Sequence, residues 1–260
     1  MRPTAYFMIL AAVATLVPTA SGQGIDRSKL VDLSYSFNEK TVYWPNAEGF
    51  RHRKDEWKII PRGYWYAAGE FTSAEHGGTH LDSPVHFGQG RETVDQIPVR
   101  KLIAPAVVVD VSAAAAKNRD YLITARDLRS WEAGNGPIPA ACIVIFRTGW
   151  GKFYPDRKQY LGSDVPGDID HLHFPGLARD AAALLVLRKV DGVGIDTASM
   201  DYGPSKDFIV HQVLNKAGIY GLENIARAEA LPVKGATLIA LPMKIEQGTG
   251  APVRIVAVLP

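Results

Sequence analysis

The sequence of 260 residues contains one cysteine, Cys142, and this scarcity excludes two kinds of site. An internal disulfide needs two cysteines, and a closed structural zinc site is normally built with several thiolates. Cys142 lies within the apolar run Ala140–Phe146, which predicts a buried strand. We therefore expect Cys142 to be an inert residue of the core.

An excess of charge of one sign is also lacking. The 29 lysine and arginine residues nearly balance the 27 aspartate and glutamate residues, which leaves a formal net charge of +2. Nucleic-acid-binding domains usually concentrate their basic residues in a patch or stripe, and no such stripe stands out here. We therefore expect no nucleic acid among the partners.

Long hydrophobic runs are missing except near the start, where Tyr6–Val17 is apolar but short for a bilayer span. A positive residue precedes this run, and Ala20 and Gly22 are small residues at the key positions of a cleavage site. We interpret residues 1–22 as a secretory signal peptide and residues 23–260 as one domain without a membrane span. The protein is therefore expected in a periplasm or outside the cell; the alternative for the apolar run is a buried N-terminal helix.

Apolar runs alternate with helical periodicity along the rest of the chain and predict a mixed α/β domain. The predicted strands cover residues 30–34, 106–111, 143–146, 193–195, 237–242 and 253–259, and the predicted helices cover residues 124–132, 176–189 and 207–216. Thr124 followed by Asp127 is a capping-box pattern, which marks the start of the first helix.

Potential metal ligands are concentrated in the segment His76–His86, which holds three of the seven histidines and one aspartate. If residues 80–82 are extended, the side chains of His80 and Asp82 point to one face of the strand. The glycine pair that follows His76 permits a sharp turn, which brings this third group to the same point. Imidazole and carboxylate are ligands for zinc, manganese or iron, so the spacing predicts a metal site with open positions.

His86 lies one turn beyond these ligands, because Pro84 ends the extended run. A histidine near the metal but not necessarily on it suits a general acid or base. The alternative, a glycine-rich loop with scattered surface histidines, explains poorly why four such groups lie so close together. The helical H-E-x-x-H pattern of zincins is absent.

The segment His76–His86 matches the pattern H-x-G-T-H-x-D-x-P-x-H, and through it the chain resembles the metal-dependent cyclase family. That family includes bacterial kynurenine formamidase and isatin hydrolase. Further similar stretches are Val31–Ser34, Tyr43–Pro45, Arg147–Trp150, Phe174–Leu177 and Gly194–Thr197. The resemblance implies a single mixed α/β domain of the swivelling β/β/α type, with a barrel-like β core and flanking helices.

The resemblance also implies a site for one or two divalent metal ions, zinc or manganese. His76, His80 and Asp82 would bind the first ion, and Asp82 would bridge to a second ion held by His211 and Glu223. From the residues alone, His211 could equally be a histidine on a helix face and Glu223 a solvated carboxylate.

Two more residues receive a role from the resemblance: His86 would transfer protons and Trp44 would line the substrate pocket. A plain packing role for Trp44 stays open. The aromatic run Tyr64–Tyr66 could likewise line a pocket for a flat ring or belong to the core.

Two resemblances point to different branches of the family. Isatin hydrolases bind one manganese and lack the glutamate, so Glu223 favours the formamidase branch and two metals. In contrast, Lys244–Arg254 is similar to the isatin hydrolase tail. The sequence leaves the physiological substrate open, although an exported protein favours an external or envelope substrate over N-formylkynurenine.

The activity implied is hydrolysis of a C–N bond in an aryl formamide, amide or lactam by metal-activated water, with His86 as general acid/base. A small-molecule substrate and a homodimer or higher homo-oligomer are expected. Two alternatives stay open: a lactone or ester hydrolase that uses the same site, and a non-catalytic exported protein that binds a metal or ligand.

Overall fold

The structure, a computed structural model, describes residues 24–260. The predicted signal peptide, residues 1–22, lies outside the described residues. The strands are β1 (Leu30–Asp32), β2 (Arg51–Ile59), β3 (Trp65–Thr72), β4 (His80–Asp82), β5 (Ile103–Asp110), β6 (Leu122–Ile123), β7 (Ile143–Arg147), β8 (Gly176–Leu177), β9 (Gly192–Ile195), β10 (Tyr220–Glu223), β11 (Lys234–Pro242) and β12 (Gly250–Val258). The helices are α1 (Val99–Leu102), α2 (Ser112–Ala115), α3 (Ala125–Asn135), α4 (Arg157–Leu161), α5 (Arg179–Arg188) and α6 (Ile209–Lys216).

Seven strands form a closed barrel in the order β12-β11-β5-β7-β9-β10-β4, and β4 pairs back to β12. The ring closes because the long strand β12 pairs through Gly250–Pro252 with β4, while its far end pairs with β1. Strands β5, β7, β9 and β10 are parallel neighbours, and helices lie in the connections between them. The predicted mixed α/β domain with a barrel-like core and flanking helices is confirmed.

Strands β5 and β7 are apolar on both faces because each face packs against a different part of the core. On β5, Val108 belongs to the cluster that gathers one face of the barrel strands, together with Ile145 and Leu222. Its neighbour Val109 belongs to the second cluster, which lies between β5, β7 and β9 and the helices α3, α5 and α6. This double burial explains why the sequence shows continuous apolar runs here instead of alternation.

Most predicted elements are present, with shifted ends. The carboxylate of Asp127 accepts the backbone N–H of Thr124 at 2.7 Å, so α3 begins as the capping-box pattern predicts. The helix predicted from residue 176 begins only at Arg179, because residues 176–177 form β8 and pair with β6. Cys142 is buried, as predicted, and burial raises the pKa of its thiol to about 11. Within residues 24–260 no helix combines the length and the apolar character needed to cross a membrane.

A long hairpin of β2 and β3 was not predicted and stands outside the barrel. Its strands are exposed on both faces, and the residues Tyr64–Tyr66 near its turn are between 47% and 60% exposed. The interpretation of this aromatic run as core is therefore wrong, and none of its three residues lines the cavity described below. The hairpin pattern was hidden because alternating apolar residues occur only near its tip, where Ile59 pairs with Trp65.

Candidate metal centre and substrate pocket

Strand β4 carries the centre of the His-rich segment and lies between β10 and β12. Leu81 is fully buried in the barrel core, so His80 and Asp82 share the opposite face, as predicted from the strand period. In the antiparallel register His80 lies opposite Glu223. Asp82 lies opposite a glycine on each side, Gly221 in β10 and Gly250 in β12, which leaves room for other groups to approach its carboxylate.

The five predicted metal ligands converge on one point, and Asp82 lies in the middle. Asp82 Oδ1 is 2.5 Å from His76 Nδ1 and 3.2 Å from His80 Nε2. Its second oxygen, Oδ2, is 3.3 Å from His211 Nε2. Glu223 completes the cluster, with Oε1 3.2 Å from His211 Nε2 and Oε2 3.5 Å from His80 Nε2. The remote residues His211 and Glu223 are thus a buried part of this cluster and not surface groups.

His86 lies at the edge of the same cluster, in the 3-10 helix Pro84–His86. Its ring stacks on that of His76, with 3.9 Å between ring centroids. Two overlapping sets of potential ligands have all their ligand atoms within 4.8 Å of one another: His76 with His80 and Asp82, and His86 with His211 and Asp82. The structure therefore places His86 as close to the centre as a ligand, which the sequence left open.

The imidazoles of His80 and His211 are deeply buried, and hydrogen bonds from the ring nitrogen that faces away from the cluster fix their orientation. His80 Nδ1 donates to the carbonyl oxygen of Gly78 at 2.9 Å, and His211 Nδ1 donates to Asp201 Oδ2 at 2.7 Å. Since both partners can only accept, each Nδ1 carries the proton and each Nε2 presents its lone pair to the cluster when the ring is neutral. The outer nitrogen of a metal-binding histidine typically makes such a bond.

Sequence reasoning missed Asp201. Its carboxylate also accepts the backbone N–H groups of Val210 and His211, at 3.0 and 3.1 Å, and so holds the first turn of α6. No local sequence pattern predicts this contact. Asp201 is nine and ten residues away from the two N–H groups that it accepts and does not occupy the position just before the helix.

The electrostatic field of the cluster favours a cation. Burial alone would raise the pKa of Asp82, but contacts with His80, His76 and His211 hold it well below its usual value. Burial alone would lower the pKa of His80, yet the carboxylates Asp82 and Glu223 raise it to about 9. A field that favours protons on imidazoles also favours a divalent cation, which competes with protons for the same nitrogens. Three imidazoles and two carboxylates in this field fit a catalytic divalent metal ion.

A cavity of about 260 Å³ opens onto the cluster and has a largely aromatic wall. Trp44 lies in this wall, with its ring centroid 5.7 Å from that of Phe208, and Phe208 lies 5.5 Å from Phe87. Phe208 has φ of 50°, a left-handed backbone conformation that is unfavourable for a bulky side chain. Strain of this kind often occurs at functional sites, and the Phe208 side chain lines the cavity.

Comparison with known proteins identifies relatives of two activities. The family model Cyclase, described as "Putative cyclase", matches residues 31–202. An isatin hydrolase of Roseibium aggregatum is 37% identical over 206 residues, which cover 76% of this chain and 77% of the relative. A kynurenine formamidase of Salinibacter ruber is 32% identical over 233 residues, which cover 87% of this chain and 96% of the relative.

Solved structures lead to the same group. A crystal structure of an isatin hydrolase bound to the product analogue thioisatinate has a TM-score of 0.82 and 33% identity, and the match covers 89% of this chain and 92% of that one. Isatin hydrolase A from Ralstonia solanacearum has a TM-score of 0.81 and 32% identity, with the same coverage of 89% and 92%.

Proposed function

The chain belongs to the cyclase family, and from this premise we propose that it is a metal-dependent hydrolase that cleaves the C–N bond of an aryl formamide or aromatic lactam. The observation that carries the proposal is the position of the cluster of imidazoles and carboxylates. It forms the floor of a cavity whose wall is aromatic. A ring held against that wall brings a carbonyl attached to it next to the cluster.

The proposed ligands of one or two zinc or manganese ions are His76, His80, Asp82, His211 and Glu223. Asp82 Oδ2 and Glu223 Oε1 lie 3.3 and 3.2 Å from His211 Nε2, which supports a second ion held by these three residues. When bound, a divalent ion lowers the pKa of water to about 7 and polarises a carbonyl oxygen, which provides both the nucleophile and the electrophile for hydrolysis. Asp82 stays ionised at neutral pH, because the neighbouring histidines hold its pKa well below the usual range.

His86 is the proposed general acid/base. Burial and the neighbouring histidines His76 and His211 lower the pKa of His86 to about 3, although Asp82 opposes this shift. The imidazole is therefore neutral at pH 7 in the metal-free protein, but so low a pKa makes it a weak proton acceptor, and the acid/base assignment rests on its position beside the cluster. The same ring, once protonated, can return that proton to the departing nitrogen. Its ring also contacts Phe87 in the cavity wall, so it lies between the metal cluster and the substrate.

The proposed substrate is small and flat. A cavity of about 260 Å³ is at or below the lower end of the roughly 300–1,000 Å³ typical of small-molecule sites. It accommodates one ring or two fused rings better than a flexible chain. Trp44 and Phe208 provide faces against which such a ring packs, and offset or edge-on aromatic contacts contribute about 0.5–1.5 kcal/mol beyond the burial of area.

The first experiment is an assay of the purified protein, stripped of metal and reloaded with zinc or manganese, on isatin and N-formylkynurenine in parallel. The proposal predicts that metal restores cleavage of at least one of the two. Matched aryl esters and lactones serve as the comparison for bond type. Cleavage of the esters alone would replace the C–N assignment by C–O hydrolysis, and tight metal binding without any turnover would support a binding protein.

A homodimer is proposed for the oligomeric state, and the β2–β3 hairpin supports it. Trp57, Ile59 and Trp65 lie on one face of the hairpin, and each is more than half exposed. Together with Tyr64 and Phe71 they expose roughly 500 Å² if each offers about half of a ~200 Å² side chain. A standard interface buries about 800 Å² per partner.

The matching test is the molar mass of Trp57→Glu/Trp65→Glu by light scattering, with Lys58→Glu on the opposite face as control. The double variant should be monomeric and the control dimeric. A wild-type protein that is monomeric at micromolar concentration would contradict the proposal.

Export is also proposed, with residues 1–22 as a cleaved signal peptide. The support is the apolar segment Tyr6–Val17 followed by small residues. The test is mass spectrometry of the N-terminus after expression of the whole chain in a bacterial host. The expected mature protein begins after Gly22 in the periplasmic fraction or the medium, and an intact Met1 in the cytosol would contradict it.

A further inference from the structure

His76 is held from its outer side by a loop from the far end of the chain. His76 Nε2 lies 2.9 Å from the hydroxyl oxygen of Thr249, and that hydroxyl donates to Glu75 Oε2 at 2.5 Å. The backbone N–H of Thr249 donates to the same carboxylate oxygen at 2.9 Å. We propose that Thr249 and Glu75 are positioning residues, which fix the tautomer and the orientation of His76 in the metal centre.

The direction of each hydrogen bond follows from what each group can do. An ionised carboxylate only accepts, so Glu75 takes the single hydroxyl proton of Thr249. The Thr249 oxygen then has only lone pairs to offer, and His76 Nε2 must be the donor towards it. With the proton on Nε2, a neutral ring would offer its Nδ1 lone pair to a bound metal ion; without the ion, Nδ1 lies at hydrogen-bond distance, 2.5 Å, from Asp82 Oδ1 and can donate to it.

Further contacts of the loop that carries Thr249 hold this residue next to His76. Ser83, inside the His-rich segment, donates to the carbonyl oxygen of Thr249 from its backbone N–H at 2.9 Å and from its hydroxyl at 2.7 Å. The next residue, Gly250, has no side chain, and a Cβ there would lie 2.6 Å from His76 Cε1. The stretch Lys244–Arg254, whose similarity to isatin hydrolases is otherwise unexplained, thereby becomes part of the site.

His76 depends on this contact more than the other two imidazoles do. Its side chain is 26% exposed, whereas those of His80 and His211 are 3% and 4% exposed. Packing immobilises the two buried rings, but water competes for the nitrogens of His76. This inference rests on the proposed function, because it gives a metal-binding role to His76.

The experiment compares Thr249→Val, which keeps the shape but loses the hydroxyl, with Thr249→Ser, which keeps the hydroxyl. Thr72→Val, at an exposed threonine of β3, is the control. Zinc affinity is measured by competition with a chromophoric chelator. Thr249→Val should bind zinc about 10- to 100-fold more weakly, the usual effect of losing an outer hydrogen bond to a ligand, while the serine and control variants stay close to wild type.

A second readout does not depend on metal. In the metal-free protein, two-bond ¹H–¹⁵N NMR correlations should show His76 protonated at Nε2. Glu75→Ala frees the Thr249 hydroxyl to donate, so this variant should show a population of His76 without a proton on Nε2. A wild-type protein that binds no zinc would refute the proposed function, whereas the NMR result would still test the tautomer.

Three results would overturn the positioning role. The first is wild-type zinc affinity in Thr249→Val. The second is an equal loss in Thr249→Ser, which would show that packing matters and not the hydroxyl. The third is a His76 without a proton on Nε2 in the wild-type protein, or unchanged protonation of Nε2 in Glu75→Ala.

Discussion

Replacing Asp201 by asparagine tests how the proposed ligand His211 is held. Asp201 Oδ2 accepts from His211 Nδ1 at 2.7 Å and from the His211 backbone at 3.1 Å, and Oδ1 accepts from the Val210 backbone at 3.0 Å. An asparagine has only one accepting oxygen. In either orientation of the amide, its NH₂ group faces a donor, on the side of His211 or on the side of Val210.

The size of the effect follows from the bond that is lost. A hydrogen bond to a charged group contributes about 1.5–3 kcal/mol, and each 1.4 kcal/mol corresponds to a tenfold change in affinity. Asp201→Asn should therefore weaken metal binding about 10- to 100-fold, which is also the usual range for the outer partner of a ligand. Because the contact is buried, some loss of fold stability in the metal-free protein is expected as well.

The assay is zinc affinity by chelator competition, with urea unfolding of the metal-free variants to verify the fold. The matched control is Asp120→Asn, because Asp120 makes a similar contact to His173 at 2.8 Å on the surface. Exposed pairs of this kind contribute about 0–1 kcal/mol, so the control should behave as wild type. A folded Asp201→Asn with unchanged affinity, or an equal loss in the control, would refute the reasoning.

Four further outcomes are expected. His86→Ala should keep its metal by elemental analysis and lose most turnover; metal loss with activity regained on adding metal would contradict an acid/base role. Glu223→Ala should bind one ion fewer per chain, and unchanged stoichiometry would contradict two metals. Trp44→Ala should raise KM for an aromatic substrate more than it lowers kcat, and an unchanged KM would remove Trp44 from the pocket. In metal-free protein, burial lowers the pKa of His80 but Asp82 and Glu223 raise it to about 9. Its stabilising contribution should be full below pH about 6.5 and lost between about 6.5 and about 9. Urea unfolding of wild type and His80→Gln across this range measures it, and equal pH dependence would contradict it.

The local part of the site was predictable because it follows from the geometry of a strand. Side chains alternate along residues 80–82, so His80 and Asp82 share a face in whatever sheet the strand joins. The glycines after His76 and the proline before His86 limit the backbone in the same direct way. For this reason the segment His76–His86 indicated a metal centre without any knowledge of the fold.

Elements that depend on distant partners were predicted less well. Residues 176–177 belong to the predicted helix by composition, yet they form β8 because β6 offers a parallel partner. The hairpin of β2 and β3 is mostly polar and charged, so it has no strong apolar period. Phe208 and Asp201 join the site from loops, and neither carries a local pattern that marks its role.

The sequence by itself determined the donors His76, His80 and Asp82, the strand that presents the last two, the buried runs of the barrel and the start of α3. Only the tertiary structure decided that Glu223 lies beside His80, that Asp201 holds His211, and that Thr249 reaches His76. The physical reason is the distance along the sequence over which each interaction acts. Alternation and capping act between residues a few positions apart, whereas the register of β4 against β10 and β12 is set when the barrel closes and each strand buries its apolar face. That closure brings segments that are far apart in the sequence together around a centre that no single segment contains.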